Sequence, residues 1–375
     1  MLKNNKILVA AIICLCLSNG NTAFGKDIGV VLSKFPNSNQ AALPENKNAV
    51  TNFEKGRNLY KQGDFKGAEA AFRKAIELDP KFVQAYIGLG NSLDDQGKPQ
   101  EAIAYYKQAI SLEPKNSDAH FNLGLTLARL NQLEPAIAEY KKAISLDPEY
   151  PKAHFHLGNV LYLQGKVAEA IAYYKQAIAI DPQNGSAHYY LGNAFYAQGK
   201  QTEAIAEYTT AIRLEPKNAA GHNALGNALY EQGKLTEAIA QYNQAIRFNP
   251  KDADAHYNLA SALYAQGKLT EAVASYTEAI RIDPKHAEAY TGLGNAMDDQ
   301  GKPQEAIAHY KKAISLVPDY AYAYYNLAIT LGRERQPQEA LINFKKAREL
   351  FQAEKNNEMV EKIDGLIQRI NTQTN

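Results

Sequence analysis

Proline recurs in this sequence at a constant spacing of 34 residues. The eight prolines of this series are Pro80, Pro114, Pro148, Pro182, Pro216, Pro250, Pro284 and Pro318. So long a period exceeds the periodicity of any single helix or strand and is typical of a supersecondary motif that is repeated along the chain. Nine such repeats fit residues 49–354 without insertions, and positions within each repeat are numbered 1 to 34 from residue 49.

Four positions of the repeat hold only small or only aromatic residues. Position 20 is alanine in every repeat, from Ala68 to Ala340, and position 27 is alanine from Ala75 to Ala347. Position 8 is always glycine or alanine, and position 24 is always tyrosine or phenylalanine. Because small side chains let helix axes approach closely and a large ring fills the adjacent space, these positions predict tight helix packing.

Each repeat is predicted to form two antiparallel helices. Positions 4, 7, 8 and 11 are mostly apolar or small, which places them on one face of the first helix. Glycine at position 15, as in Gly97 and Gly301, favours the left-handed turn that ends a helix. Proline at position 17, as in Pro99, Pro303 and Pro337, suits the start of the second helix. Since no repeat can bury its apolar face alone, the repeats must stack.

These positions resemble the tetratricopeptide repeat, with its small residue at 8, alanine at 20 and 27, aromatic residue at 24 and proline at 32. The resemblance covers residues 49–354 and implies an all-α fold, a right-handed α-solenoid in which antiparallel helix pairs form a superhelix. Its concave inner surface would be made by the first helices. Polar Asn52 and Lys55 predict an exposed starting cap, and apolar residues from Met359 to Ile370 predict a C-terminal capping helix within residues 355–375.

The first 25 residues are typical of an export signal. Lys3 and Lys6 precede an apolar run of 11 residues, 7–17, and Ala23 and Gly25 are small residues at the positions that a signal peptidase prefers. Spanning a bilayer takes about 20 residues, so we expect cleavage after Gly25, no membrane span in the mature chain and a periplasmic or extracellular location. An uncleaved membrane anchor is the alternative. Residues 26–48, polar and with two prolines, are predicted to be a flexible tether.

Composition and spacing exclude several classes of function. The chain has 41 basic and 40 acidic side chains, which argues against a nucleic-acid binder because such proteins carry a basic surplus. Both cysteines, Cys14 and Cys16, lie in the signal segment, so the mature chain has no thiol nucleophile. The repeats leave no room for an embedded catalytic domain. We therefore expect no catalytic residues and no cofactor.

Histidine occupies position 4 of five consecutive repeats, as His120, His154, His188, His222 and His256. Adjacent packed helices lie about 8–10 Å apart, whereas ligands of one zinc ion each lie about 2 Å from it. The histidines are thus predicted to be packing residues, each with a hydrogen-bonded ring nitrogen, and no metal site is expected.

The predicted binding surface is the side of the first helices that carries positions 2, 5, 9 and 12. Tyrosine, phenylalanine and asparagine recur there, and the predicted partner-binding residues are Phe155, Asn159, Tyr162, Tyr189, Asn193, Tyr196, Asn227, Tyr230, Tyr257 and Tyr264. Rings offer rigid contact area, and amides can bond a peptide main chain. We expect a non-enzymatic scaffold that binds a protein or peptide in its groove, with envelope assembly as a candidate role.

Three alternatives remain for this surface. The same residues could only pack neighbouring repeats, or the groove could bind glycan, since rings stack on sugars and amides bond hydroxyl groups. The third alternative is that the chain is a membrane-tethered assembly factor with an uncleaved signal. The oligomeric state is left open. Position 5 never carries the lysine with which some tetratricopeptide proteins hold a C-terminal carboxylate, so that ligand class is not expected.

Acidic pairs stand at positions 12 and 13 of repeats 2 and 8, as Asp94-Asp95 and Asp298-Asp299. They flank the aromatic stretch. We interpret them as solvated helix ends, with attraction for basic groups of a partner as the alternative.

Overall fold

The computed structural model describes residues 45–374. The predicted signal, residues 1–25, and residues 26–44 of the predicted tether lie outside the described residues. From residue 45 to residue 374 the structure is all-helical, with 19 helices and no strand. None of these helices has the length and apolar character that crossing a membrane requires.

Two helices form each repeat, and one further helix follows the ninth. The first helices are α1 (Lys47–Lys61), α3 (Val83–Asp95), α5 (Ser117–Arg129), α7 (Pro151–Leu163), α9 (Gly185–Ala197), α11 (Ala219–Glu231), α13 (Ala253–Ala265), α15 (Ala287–Asp299) and α17 (Ala321–Arg333). The second helices are α2 (Phe65–Leu78), α4 (Pro99–Leu112), α6 (Leu133–Leu146), α8 (Val167–Ile180), α10 (Gln201–Leu214), α12 (Leu235–Phe248), α14 (Leu269–Ile282), α16 (Pro303–Leu316) and α18 (Pro337–Ala353). The last helix is α19 (Asn357–Thr374).

The chain divides into two compact bodies, with the boundary between Glu203 and Ala204 inside α10. In the amino-terminal body each helix from α1 to α9 packs against the next, and in the carboxy-terminal body the same holds from α11 to α19. Consecutive helix pairs are antiparallel and packed, as the 34-residue period predicts.

The constant positions form the buried core. Every alanine at positions 20 and 27 is 0% exposed, and the rings at position 24 are at most 3% exposed. A Cβ atom added at Gly90, Gly226 or Gly294, all at position 8, would lie 2.5 Å from the ring of the position-24 tyrosine. The predicted close packing is confirmed, because only glycine fits under these rings.

The first helices are buried on more sides than their apolar periodicity predicts. In the first helices from α3 to α17, positions 3 and 10 are also buried, for example Ala119 and Thr126 on α5, and Ala323 and Thr330 on α17. Helices α5 and α17, for example, each pack against the second helix of their own repeat and against that of the preceding repeat. A helix that packs between two other helices buries two faces. The second face was not predicted from the sequence, because the side chains at positions 3 and 10 are small or polar.

Turn and end residues take the conformations that the sequence favours. The position-15 glycines have φ values of 73° to 81°, in the left-handed region. In repeat 9, which lacks the proline at position 32, α18 continues to Ala353. Helix α19 packs Ile363, 0% exposed, into a cluster with Leu331 and Phe351. At the other end, Lys55 on α1 is exposed.

Candidate partner-binding surface

The histidines of position 4 are held by the backbone of the preceding repeat. The Nε2 atoms of His120, His154, His188, His222 and His256 lie 3.0–3.3 Å from the carbonyl oxygens of Pro114, Pro148, Pro182, Pro216 and Pro250, respectively. Because a carbonyl oxygen only accepts, Nε2 carries the proton and donates. The predicted hydrogen-bonded packing role is confirmed. No group of three or more histidine, cysteine or acidic side chains is suited to hold a metal ion within residues 45–374.

The rings of position 5 pack against the rings of position 24 in the same repeat. Five such pairs have centroid distances of 5.7–6.1 Å: Phe53–Phe72, Phe121–Tyr140, Phe155–Tyr174, Tyr257–Tyr276 and Tyr325–Phe344. The predicted site residues Phe155 and Tyr257 thus contribute to packing between the two helices of their repeats. Tyr189, also at position 5, lies edge-on to Tyr190 at 5.2 Å.

Two asparagines of position 9 use their side-chain oxygen, but not their side-chain nitrogen, in a hydrogen bond of the fold. Their amides are called half-used below. Tyr174 donates from its hydroxyl to Oδ1 of Asn159, and Tyr242 donates to Oδ1 of Asn227, both at 2.8 Å. The Nδ2 atoms of Asn159 and Asn227 have no hydrogen-bond partner among residues 45–374. Each amide is therefore oriented by the core and keeps a donor for another molecule. Asn193 is half-buried on α9.

The tyrosines of position 12 lie beside these asparagines, one helical turn away. Tyr162, Tyr196 and Tyr264 are half-buried, whereas Tyr230 is 36% exposed. Burial raises the pKa of Tyr230 above its ordinary value, so its hydroxyl is neutral and can donate at physiological pH. Positions 9 and 12, here named the first-helix face, offer rings and amides together.

The acidic pair of repeat 2 belongs to a network across three repeats, here named the amino network. Asp94 is 2% exposed and its Oδ1 lies 2.8 Å from Nη2 of Arg129 in repeat 3. Tyr60 of repeat 1 donates to Oδ2 of Asp95. The interpretation of Asp94 as a solvated helix end is wrong, because a cation 35 residues later in the sequence neutralises it in the interior.

The acidic pair of repeat 8 makes the equivalent carboxy network. Arg333 and Thr330 of repeat 9 both donate to Oδ2 of Asp298, and Tyr264 of repeat 7 donates to Oδ2 of Asp299 at 2.5 Å. Burial and the Asp299 carboxylate raise the pKa of Tyr264. Beside this network lies an open depression of about 200 Å³, which Asn295 and Ile329 also line.

Sequence reasoning missed Arg129 and Arg333 as parts of these networks. Both stand 35 residues after the first aspartate of an acidic pair, at position 13 of the following repeat. That shared spacing was the available signal.

The pKa of His286 is raised in the carboxy-terminal body. Its ring lies 4.9 Å from that of Tyr257, and its nitrogens lie 3.4 Å from Asp254 and 3.2 Å from Glu288. Burial alone would lower the pKa of His286, but the two nearby carboxylates outweigh it and raise the pKa to about 9.

Comparison with known proteins gives the family. Residues 34–245 and 150–363 match the model of the cilia and flagella-associated protein 70 C-terminal domain, a tetratricopeptide-repeat domain. The chain belongs to this tetratricopeptide-repeat family. The two matched segments together cover most of the chain, so this tetratricopeptide protein has its repeats in both bodies. No curated protein matches it closely enough to be counted as a relative.

Solved structures show the same fold. The Cut9 and Hcn1 hetero-tetramer structure of the APC/C matches with a TM-score of 0.53 at 19% identity, over 71% of this chain and 52% of that chain. Pseudomonas aeruginosa pilF matches with a TM-score of 0.50 at 21% identity, over 55% of this chain and 94% of that chain. YrrB, described as a TPR protein with an unusual peptide-binding site, is 25% identical over 49% of this chain and 95% of its own, with a TM-score of 0.44. The tetratricopeptide fold is that of protein–protein interaction scaffolds.

Proposed function

We propose that this tetratricopeptide protein is an exported, non-enzymatic scaffold that binds an extended peptide segment of a protein partner on its first-helix face. The observation that carries the peptide part is the pairing of a partly exposed tyrosine with an oriented, half-used amide. Tyr230 with Asn227 is the pair in the carboxy-terminal body, and Tyr162 with Asn159 is the pair in the amino-terminal body.

The chemistry of each pair suits a peptide main chain. The Nδ2 atom of Asn227 can donate to a peptide carbonyl oxygen, while Oδ1 stays engaged by Tyr242. The neighbouring Tyr230 ring supplies apolar contact area and loses little rotamer freedom on binding. Adjacent helices lie about 10 Å apart and an extended chain advances about 3.3 Å per residue, so each repeat would contact about three peptide residues.

Peptide binding is tested with a random dodecapeptide library displayed on phage and panned on the mature chain, residues 26–375. The affinity of an enriched synthetic peptide is then measured by fluorescence anisotropy for Tyr162→Ala and Tyr230→Ala. At least one variant should lose about tenfold in affinity, as expected for a tyrosine that dominates an interface. Circular dichroism should show unchanged helical content.

Ile342→Ala is the matched control. Ile342 is 66% exposed on α18, a second helix, and its truncation should leave peptide affinity unchanged. Unaltered affinity in both tyrosine variants would remove the first-helix face as the binding surface. A glycan array probed with the same proteins tests the competing ligand, since sugar binding that Tyr230→Ala abolishes would favour a glycan-binding function.

Export is supported by the charged start, the short apolar run and the Ala-Phe-Gly sequence within residues 1–25. N-terminal sequencing of the native protein should begin at Lys26. A chain that begins at Met1 in a membrane fraction would favour the tethered assembly factor, and one that begins at Met1 in the cytoplasm would refute export.

A further inference from the structure

The geometry of repeats 7 to 9 points to a subsite for a basic side chain: we infer that the depression beside Asp299 receives a lysine or arginine of the bound peptide. This inference rests on the peptide-binding function proposed above and names the partner's chemistry. Asp299 would be the counter-ion, and the amides of Asn295 and Asn326 would hold the adjacent main chain.

The charge of the depression is unbalanced. Arg333 neutralises Asp298, whose side chain is 9% exposed and also accepts from Thr330. Asp299 is exposed and accepts only the neutral hydroxyl of Tyr264, at its Oδ2 atom. Among residues 45–374 no cation pairs with Asp299. The depression therefore carries one net negative charge at a carboxylate whose Oδ1 atom is available.

The two amides provide one donor and one acceptor at the same place. Oδ1 of Asn295 accepts from both Tyr310 and Nδ2 of Asn326, each at 2.9 Å, and this double contact fixes the orientation of both side chains. Nδ2 of Asn295 and Oδ1 of Asn326 have no partner among the described residues. A donor beside an acceptor matches the carbonyl oxygen and N–H of an extended main chain.

The size of the depression suits the end of a basic side chain. Its volume is about 200 Å³, and a water molecule takes about 30 Å³ in the liquid. An ammonium or guanidinium group can enter with a few waters. The wall also contains Ile329, which can contact an aliphatic stem.

The amino network offers no equivalent subsite, although its acidic pair is the same. Asn91, which corresponds to Asn295, is 0% exposed and accepts from the Tyr106 hydroxyl, so its amide is closed to a ligand. Position 6 of repeat 3 is Asn122, 2% exposed, which donates to the backbone of Asp118 rather than to a position-9 amide. The subsite is therefore a feature of the carboxy network that the amino network lacks.

The test uses pools of synthetic nonapeptides in which the central residue is fixed as lysine, arginine, glutamine or glutamate and the others are randomised. The wild-type mature chain should bind the lysine and arginine pools about three- to tenfold more tightly than the glutamine pool. This preference should weaken as sodium chloride rises from 50 to 500 mM, because salt screens exposed charges. Asp299→Asn, which keeps an acceptor for Tyr264, should abolish the preference, and Asp299→Lys should transfer it to the glutamate pool.

Asp319→Asn is the control, because Asp319 is an exposed carboxylate that is not part of the depression. It should keep the wild-type preference. Failure of every pool to bind the wild-type chain would overturn the peptide-binding function itself. Binding without a basic preference, or a preference that survives in Asp299→Asn, would overturn the subsite and leave peptide binding intact. Were Asp299→Asn to lose helical content, a salt-insensitive preference in the wild-type chain would suffice to overturn the subsite.

Discussion

The amino and carboxy networks contain the same acidic pair, but the ion pair of the amino network is more buried than that of the carboxy network. Tyr60 is 0% exposed and the side chains of Asp94 and Arg129 are 1% and 31% exposed. In the carboxy network the corresponding exposures of Asp298 and Arg333 are 9% and 57%.

The neighbours of each network account for this difference. Arg129 lines a cavity of only about 10 Å³ together with His156 and Asn159 of repeat 4. Repeat 9 is followed by α19 instead of a further repeat, and Arg333 stays exposed. The same Asp-Asp pair and arginine thus form a buried ion pair where a further repeat follows, and border a surface depression where α19 follows instead.

A second difference lies at position 34 of the first repeat in each network. In repeat 1 it is Phe82, whose ring lies 4.8 Å from that of Phe53. In repeat 7 it is His286, 4.9 Å from Tyr257 at nearly the same tilt. The carboxy-terminal body therefore has a titratable ring where the amino-terminal body has a hydrocarbon one, although His286 lies at the other end of α15 from Asp298 and Asp299.

The largest expected effect is on the buried ion pair. Asp94→Asn leaves the Arg129 charge partly buried without its carboxylate, and should lower the free energy of unfolding by about 2–3 kcal/mol. Asp298→Asn should cost only about 1 kcal/mol, because water already solvates Arg333. Guanidinium denaturation followed by circular dichroism measures both, and equal losses would contradict the difference in burial.

The next effect separates the two bodies by pH. The pKa of His286 is raised to about 9 in the folded chain, against about 6.5 when unfolded, so the stabilisation is complete below about pH 6.5 and is lost as pH rises through 9. Between pH 7 and pH 9 the free energy of unfolding should fall by about 2 kcal/mol. His286→Phe, which copies Phe82, should remove this fall. A wild-type midpoint that is constant over this range would contradict the raised pKa of His286.

A shared feature provides the internal control for both comparisons. Gly90 and Gly294 both lie under a tyrosine ring, and an added Cβ would stand 2.5 Å from Tyr106 and from Tyr310, respectively. Gly90→Ala and Gly294→Ala should each cost about 1–2 kcal/mol, because the ring must move in a packed core. Thermal unfolding should give equal losses, and a clear inequality would show that the two bodies differ in more than their networks.

The smallest effects concern the turns that follow the two arginines. Asn131 and Arg335 replace the position-15 glycine and have φ values of 57°. Arg335→Gly should stabilise the chain by about 1 kcal/mol, since a residue with a Cβ is strained there. Asn131→Gly should gain only a few tenths, because asparagine tolerates this conformation. Comparison of the two melting temperatures measures the difference, and a larger gain at Asn131 would contradict this order.

The sequence by itself determined the helices, their ends and the packed columns. The 34-residue period, the glycines of position 15 and the alanines of positions 20 and 27 specify contacts within a repeat or with its immediate neighbour. Such contacts recur in every repeat, so a residue type at a given position is buried and packed in the same way each time. The predicted first-helix face also contains the half-used amides, although their bonds to position 24 were not foreseen.

Only the tertiary structure decided the burial and the contacts of the positions that lie between core and surface. Phe155 packs against the position-24 ring of Tyr174, and Asn159 is oriented by the hydroxyl of the same tyrosine. Periodicity along a single helix cannot reveal either contact. Asp95 is half-buried and Asp299 exposed because their surroundings come from residues about 35 positions away in flanking repeats that differ. Burial of a polar group depends on what covers it, and that cover belongs to another part of the chain.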